Sequence, residues 1–454
     1  MSTLGTHIIR QQYLDISFEG NEQEGMALQQ QMTGVCTHQL IPAMEAILDR
    51  LAPAGQHLYM NKLDIDLGEI EWDDVSTALK PAFLENLETA IQQKLADHQH
   101  THTIVNNEAA QSDIRILDQY LADFEVFIYF LKHGRIPWNT LSLTIPNALK
   151  TTELKRLREM LRLCPPARAR LALQERTTIF EQILGTCSDA TVMEIKYVMH
   201  LFQAEAHQIF RQKIVEGVLE LWAYGTVTVQ RNEVFAKAIQ LLHSDKNAKA
   251  VAFSKVLATN MIKLPVEWAP LAVLPMDATI QNVTYKDDSL AIYINNAGLV
   301  LLHPFLPMLF EGTGIANNGQ MIDPERAVQL LHYLATGHKT TPEEMLVLPK
   351  ILCGIPVEMP IDLQPCLRTE DIEEADALLL AAISHWSVLQ NTAPDGLRGT
   401  FLLRPGKLTS TPDGAWTLQV ETHSVNILLA QLPWGISMIQ SAWMPNMLMV
   451  NWEG

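Results

Sequence analysis

Apolar residues recur at helical intervals through the middle of this 454-residue chain, and prolines and glycines cut the pattern into separate helices. Ile114, Leu117, Leu121, Phe124, Ile128 and Leu131 fall on one face, and His133-Gly134 ahead of Pro137 predicts where that helix stops. Leu154, Leu157, Leu161 and Cys164 make a second face that ends at Pro165-Pro166. A third begins at Ser188 or Asp189, either of which can cap it, and runs through Val192, Ile195, Met199, Phe202, Ala206, Phe210, Ile214, Val218 and Leu221. It lacks the heptads and flanking charges of a coiled coil, and no fixed-length repeat supports a solenoid. A packed bundle of helices folded back on one another is expected.

The two ends read differently. Leu14, Ile16 and Phe18 alternate with polar residues, as do Leu63, Ile65 and Leu67, which predicts two half-buried strands. Between them Met32, Val35, Cys36, Leu40, Met44, Ile47, Leu48 and Leu51 mark a helix that Pro42 kinks or divides. Val75, Leu79, Phe83, Leu87, Ile91 and Leu95 mark another, giving a β-α-β-α unit. At the other end, Asp323-Pro324 opens a helix that Gly337 closes, and Asp371 with Glu374 suggests a capping box. Phe401 to Leu408, Pro412-Asp413-Gly414 and Trp416, Leu418, Val420 read as a hairpin, followed by a short helix from Ser424 to Leu432 and a terminal strand of Leu448, Val450 and Trp452. The fold class is therefore α+β, predominantly α-helical. The expected divisions are an acidic N-terminal domain (1–97), a polar linker (98–112), a central helical region (113–275) and a C-terminal domain rich in Trp and Pro (276–454).

Charge narrows the functions. The net charge of -18 disfavours nucleic acid and anionic membranes as partners, and residues 1–100 carry 15 acidic against 5 basic side chains, a net of -10 (5 minus 15). Lys150 to Arg170 runs the other way, with seven basic residues against Glu153 and Glu159, and reads as a solvated helix face or else a docking patch. The five scattered cysteines form no Cys-x-x-Cys, so neither a disulfide framework nor a zinc site is expected, and the start of the chain reads as neither signal nor anchor.

Motifs for chemistry are sparse. His98, His100 and His102 alternate, but with no fourth ligand in view they read as linker. Asp64, Asp66 and Glu69 read as the wet side of a strand, and Gly312-Thr313-Gly314 with Asn317-Asn318-Gly319 as a turn. Cys353 with His303, His332 or His385 would be the one nucleophile-and-base pairing, yet its apolar neighbours predict burial. No enzymatic activity, cofactor or metal is expected. The remaining peculiarity is aromatic: Trp386, Trp416, Trp434, Trp443 and Trp452 are five of the nine tryptophans, and Leu432 to Asn451 holds no charged residue. Such a stretch is a core element or an interface. If an interface, Trp434, Trp443, Trp452, Met438, Met444 and Met447 are the partner-binding candidates.

Several blocks resemble the contractile injection system tape measure proteins of phage-tail-like particles. They are His7 to Gly20, Leu63 to Ile70, Asn295 to Leu306, Arg326 to Gly337, Lys350 to Pro356, and Leu432-Pro433-Trp434-Gly435-Ile436-Ser437. The resemblance implies a role in tail-length determination or tail assembly in a bacterial cytoplasm, through docking to tube, baseplate or cap proteins, with incorporation into the particle open. The alternative is a cytoplasmic assembly chaperone or adaptor that binds a tube, baseplate or effector protein and is absent from the mature particle. A ruler must lie extended as helix, and Ile114 to Ile262 stretched out would span on the order of 220 Å. Oligomeric state is open.

Overall fold

A computed structural model describes residues 7–9, 12–18, 21–51, 55–70, 75–102, 114–173, 178–201, 208–225, 231–244, 291–363, 366–389, 391–411 and 414–452. The fold is α+β and predominantly α-helical. Two compact units are formed, 1–126 with 139–145, and 127–138 with 146–454. The expected boundary near residue 275 and most of the 98–112 linker lie outside the described residues.

In the first unit, α1 (Glu22–Val35) passes through a π-helical turn (Cys36–Leu40) into α2 (Ile41–Leu51). The wide turn sits immediately before Pro42, which has no N–H for the α-helical ladder, and the Ile41 N–H reaches back to Cys36 O. Leu28, Met32, Leu40, Met44 and Ile47 then pack against Leu79, Phe83, Leu87 and Ile91 of α3 (Val75–His102). That helix runs on to His102, so the start of the expected linker is helical. Two expected strands are not strands. Residues 12–18 and 61–70 have no ladder partners, although Leu63, Ile65 and Leu67 still turn inward while Asp64 and Asp66 face water. Period-two burial survives in 61–70, which lies on helices, but not in 12–18, where Leu14 and Ile16 are 39 and 44% exposed and only Phe18 packs on the core. The strands of this unit are instead β1 (Gln56–Met60) and β2 (Ile114–Asp118), antiparallel. Ile114 and Leu117 thus belong to a strand, and α4 (Gln119–His133) begins after it, where the Asp118 carboxylate accepts from the Leu121 N–H at 2.7 Å.

The second unit holds α5 (Thr151–Leu163), α6 (Pro165–Leu173), α7 (Thr178–Leu184), α8 (Asp189–Leu201), α9 (Gln208–Ala223) and α10 (Arg231–Ser244). Helix α9 packs against α5, α6, α8 and α10. Ser188 caps α8, its hydroxyl accepting from the Thr191 N–H. Beyond residue 290 come α11 (Leu306–Gly312), α12 (Pro324–Thr336), α13 (Val347–Leu352) and α14 (Thr369–His385). Asp323 caps α12 and Gly337 ends it at φ 74°. Asp371 is three residues inside α14 rather than its cap, and accepts from the Arg368 N–H at 2.8 Å.

A recurring device joins these short helices: a buried arginine seated on the carbonyls at a helix C-terminus and neutralised by a carboxylate. Those carbonyls have no partner within their helix and carry the negative end of its dipole. Arg168 donates to Leu161 O at the end of α5 and pairs with Glu220. Arg326 donates to Thr313 O after α11 and makes a bidentate pair with Asp371 at 2.7 and 2.8 Å. Arg398 donates to Leu334 O in α12 and pairs with Asp376 and Asp395. The expected solvated face from Lys150 to Arg170 is therefore only partly solvated. Lys150, Lys155, Arg156 and Arg162 face water, whereas Arg168 and Arg170 are buried.

Arg170 is the most enclosed of these. Its guanidinium donates to Leu131 O and Lys132 O at the end of α4, to Glu358 O, and to the Glu343 carboxylate at 3.1 Å. Glu343 also accepts from Lys350 Nζ at 2.9 Å, and Lys350 donates onward to Val357 O. The three charged side chains are 1 to 2% exposed. Burial draws Lys350 below the ordinary lysine range, against the pull of Glu343. Gly134 ends α4 at φ 68°, and a Cβ there would strike the Arg170 guanidinium. Removing the lone carboxylate strands two buried cations: Glu343→Ala is expected to cost about 3–5 kcal/mol, and Lys350→Met, which leaves a one-to-one pair, far less, both read by urea denaturation.

His332 is 2% exposed with Nδ1 unpartnered, and burial lowers the pKa of both His332 and His303. Below the ordinary histidine value the unfolded chain binds protons that the folded chain refuses, so stability is lost as pH falls through about 6.5. Glu344, raised by burial, acts in the opposite sense. The urea midpoint of His332→Gln is expected to fall less than that of the unsubstituted protein between pH 7 and pH 5, which isolates the histidine.

Candidate docking surface

The second unit carries a five-stranded sheet built mostly from the C-terminal residues. Its strands, in spatial order, are β3 (Ile292–Ile294), β6 (Gly406–Ser410), β7 (Trp416–Val420), β9 (Leu448–Asn451) and β8 (Met438–Ile439). Strands β6 and β7 form the expected hairpin, with Gly414 at φ 85° and residues 412–413 outside the described set. Phe401 is not part of it. It lies in a π-helical turn (Arg398–Leu402) where Phe401 O sits so close to Gly298 that no side chain fits. The expected short helix is a 3-10 helix (Ser424–Gln431), and β9 pairs in parallel with β7. The turn expected at Asn317-Asn318-Gly319 is a tight hairpin between β4 (Ala316–Asn317) and β5 (Gln320–Met321), with Asn318 and Gly319 both at positive φ.

Registers fix the two faces of the sheet. Ile292, Leu408, Leu418 and Val450 align across four strands and point into the core, as do Trp416, Leu448 and Ile439. Outward, one row is Tyr293, Lys407, Gln419 and Asn451, and the next is Thr409, Thr417, Met449 and Met438. Tyr293, Met449 and Met438 are 46, 39 and 62% exposed. The outer face is thus uncharged but for Lys407 and apolar at both edges. Flexible, polarisable methionines at one edge suit it to a partner's side chains.

The six partner-binding candidates separate. Trp434 donates its indole N–H to Leu301 O at 3.0 Å and meets Phe305 edge-on. Trp443 donates to Leu352 O at 2.8 Å, and its backbone presses on Gly354. Trp452 is half-buried against the core with its indole nitrogen unpartnered, and Met444 is buried. Met438 and Met447 are exposed. Tyr293 is missing from the candidates because its outward direction follows from the pairing of β3 with β6, whereas that of Met449 follows from the alternation of Leu448 and Val450 around it.

Elsewhere the chemistry stays quiet. Cys353 is fully buried and its pKa is raised by that burial, which holds the thiol protonated and removes it as a nucleophile. Among the described residues no group of His, Cys, Asp or Glu could hold a metal ion, and no helix is long and apolar enough to cross a membrane. Stability separates the two kinds of aromatic and sulfur residue. Trp443→Phe, which strands Leu352 O, is expected to cost about 1–2 kcal/mol in urea unfolding, and Met438→Gln less than about 0.5 kcal/mol.

The family model described as contractile injection system tape measure protein matches residues 6–452. No curated protein sequence and no solved structure matches the chain.

Proposed function

Because the chain belongs to the contractile injection system tape measure proteins, we propose that it serves tail-length determination and tail assembly as a folded docking component, not as an extended ruler. One observation carries this reading: the Arg170–Glu343–Lys350 cluster fastens the helices before residue 175 to the segment 343–358. Drawing the central helices into a rod would expose or strand those buried charges, at a cost of several kcal/mol for each charge left unpaired. The outer face of the C-terminal sheet is the docking surface of this proposal, and a tube, baseplate or cap protein its partner.

The same rigidity favours a second reading, an assembly chaperone or adaptor that leaves before the particle matures. Mass spectrometry of purified mature particles beside the soluble pool distinguishes them, since an adaptor is recovered only from the pool. The docking face is tested by Met438→Asp with Met449→Asp, introduced in the native operon. The expected outcome is fewer particles or irregular tail lengths by electron microscopy, from a protein whose melting is unchanged. Wild-type number and length would rule out the face.

A further inference from the structure

Arg158 and Arg162 stand one turn apart on α5 and line a cavity of about 220 Å³ with Glu159, Ala223, Tyr224 and Gly225 at the end of α9. Arg158 is held in place. Its Nε–H donates to Trp222 O at 3.0 Å, and its guanidinium lies 5.4 Å from the centre of the Trp222 ring. That uses one of five N–H donors, and among the described residues neither arginine has a carboxylate partner. Arg162 is solvent-exposed, and its backbone carbonyl accepts from the Tyr224 hydroxyl at 3.4 Å, which holds that ring at the cavity wall. Leu163 and Tyr224 are each 63% exposed beside the two charges. Glu159, also exposed, makes no bond to either arginine.

Two guanidiniums with no carboxylate partner among the described residues, one of them pre-positioned, thus stand together beside apolar surface on a protein of net charge -18. The buried Arg168, Arg170, Arg326 and Arg398, by contrast, are each matched with a carboxylate of their own chain. We propose that this cavity binds the carboxylates of an acidic segment of a partner protein, Arg158 and Arg162 each taking one oxyanion group and Leu163 and Tyr224 covering the adjoining chain. The strongly negative remainder of the molecule repels a polyphosphate, whose charge density is high, more than a peptide whose carboxylates are spaced by neutral backbone. The site is built from α5 and α9 and not from the sheet, so it stands or falls separately from the docking face.

The full-length protein is titrated with a fluorescently labelled deca-glutamate peptide at 50 mM salt, by fluorescence anisotropy. Arg162→Ala, at an exposed position, is expected to weaken binding roughly tenfold, the loss of one charge-assisted contact. Glu159→Gln is expected to tighten it, and raising salt to 300 mM to weaken it. Peptide affinity unchanged in both variants overturns the proposal. So does binding of inorganic phosphate with no binding of the peptide, which would make this a site for a free oxyanion.

Discussion

The second unit depends on how its helix ends are satisfied. It is assembled from many short helices, and each exposes carbonyl oxygens that a buried helix end cannot leave bare. Arginines answer this at α4, α5, α11 and α12, where a planar guanidinium reaches one or more of the carbonyls and a carboxylate from another element balances its charge. Because the three partners come from distant parts of the chain, every such cluster also fixes how elements sit. Arg170 is the extreme case, joining the end of α4, α6, Glu343 and Glu358 through one side chain.

The C-terminal blocks that carry the family resemblance meet one another in space. Trp434, in the Leu432 to Ser437 block, donates to Leu301 in the Asn295 to Leu306 block. Trp443 closes over Gly354 and bonds Leu352, in the Lys350 to Pro356 block that also supplies Lys350 to the buried cluster. Arg326 and Gly337 bound the block that forms α12. These blocks are therefore framework, and the surface they support is composed of less distinctive residues such as Tyr293, Thr409 and Met449.

Helix periodicity and helix punctuation were legible from the residues alone. Gly134 and Gly337 stop their helices where expected, Pro42 perturbs its own, and Asp323-Pro324 starts another, because each acts through local geometry. Strands were less legible. Leu63, Ile65 and Leu67 alternate as a strand would, yet no neighbour pairs with them, whereas Ile114 to Asp118 continues an apolar pattern of helical appearance and is a strand because β1 lies beside it. A ladder is a property of two segments, and one segment cannot announce it.

The sequence by itself determined the predominance of helix, the places where helices end and the inward residues of the terminal strand. Tertiary structure alone decided the fate of the charges and of the aromatic tail. Lys150 to Arg170 is one basic run in the chain, yet Arg156 faces water, Arg158 lies against Trp222, and Arg170 is sealed against Glu343. Likewise Trp434 and Trp443 bond to carbonyls 133 and 91 residues away, while Met438 faces out. The reason is the same in each case: whether a long polar or aromatic side chain is buried depends on a partner supplied from elsewhere, and that partner has no trace in the local sequence.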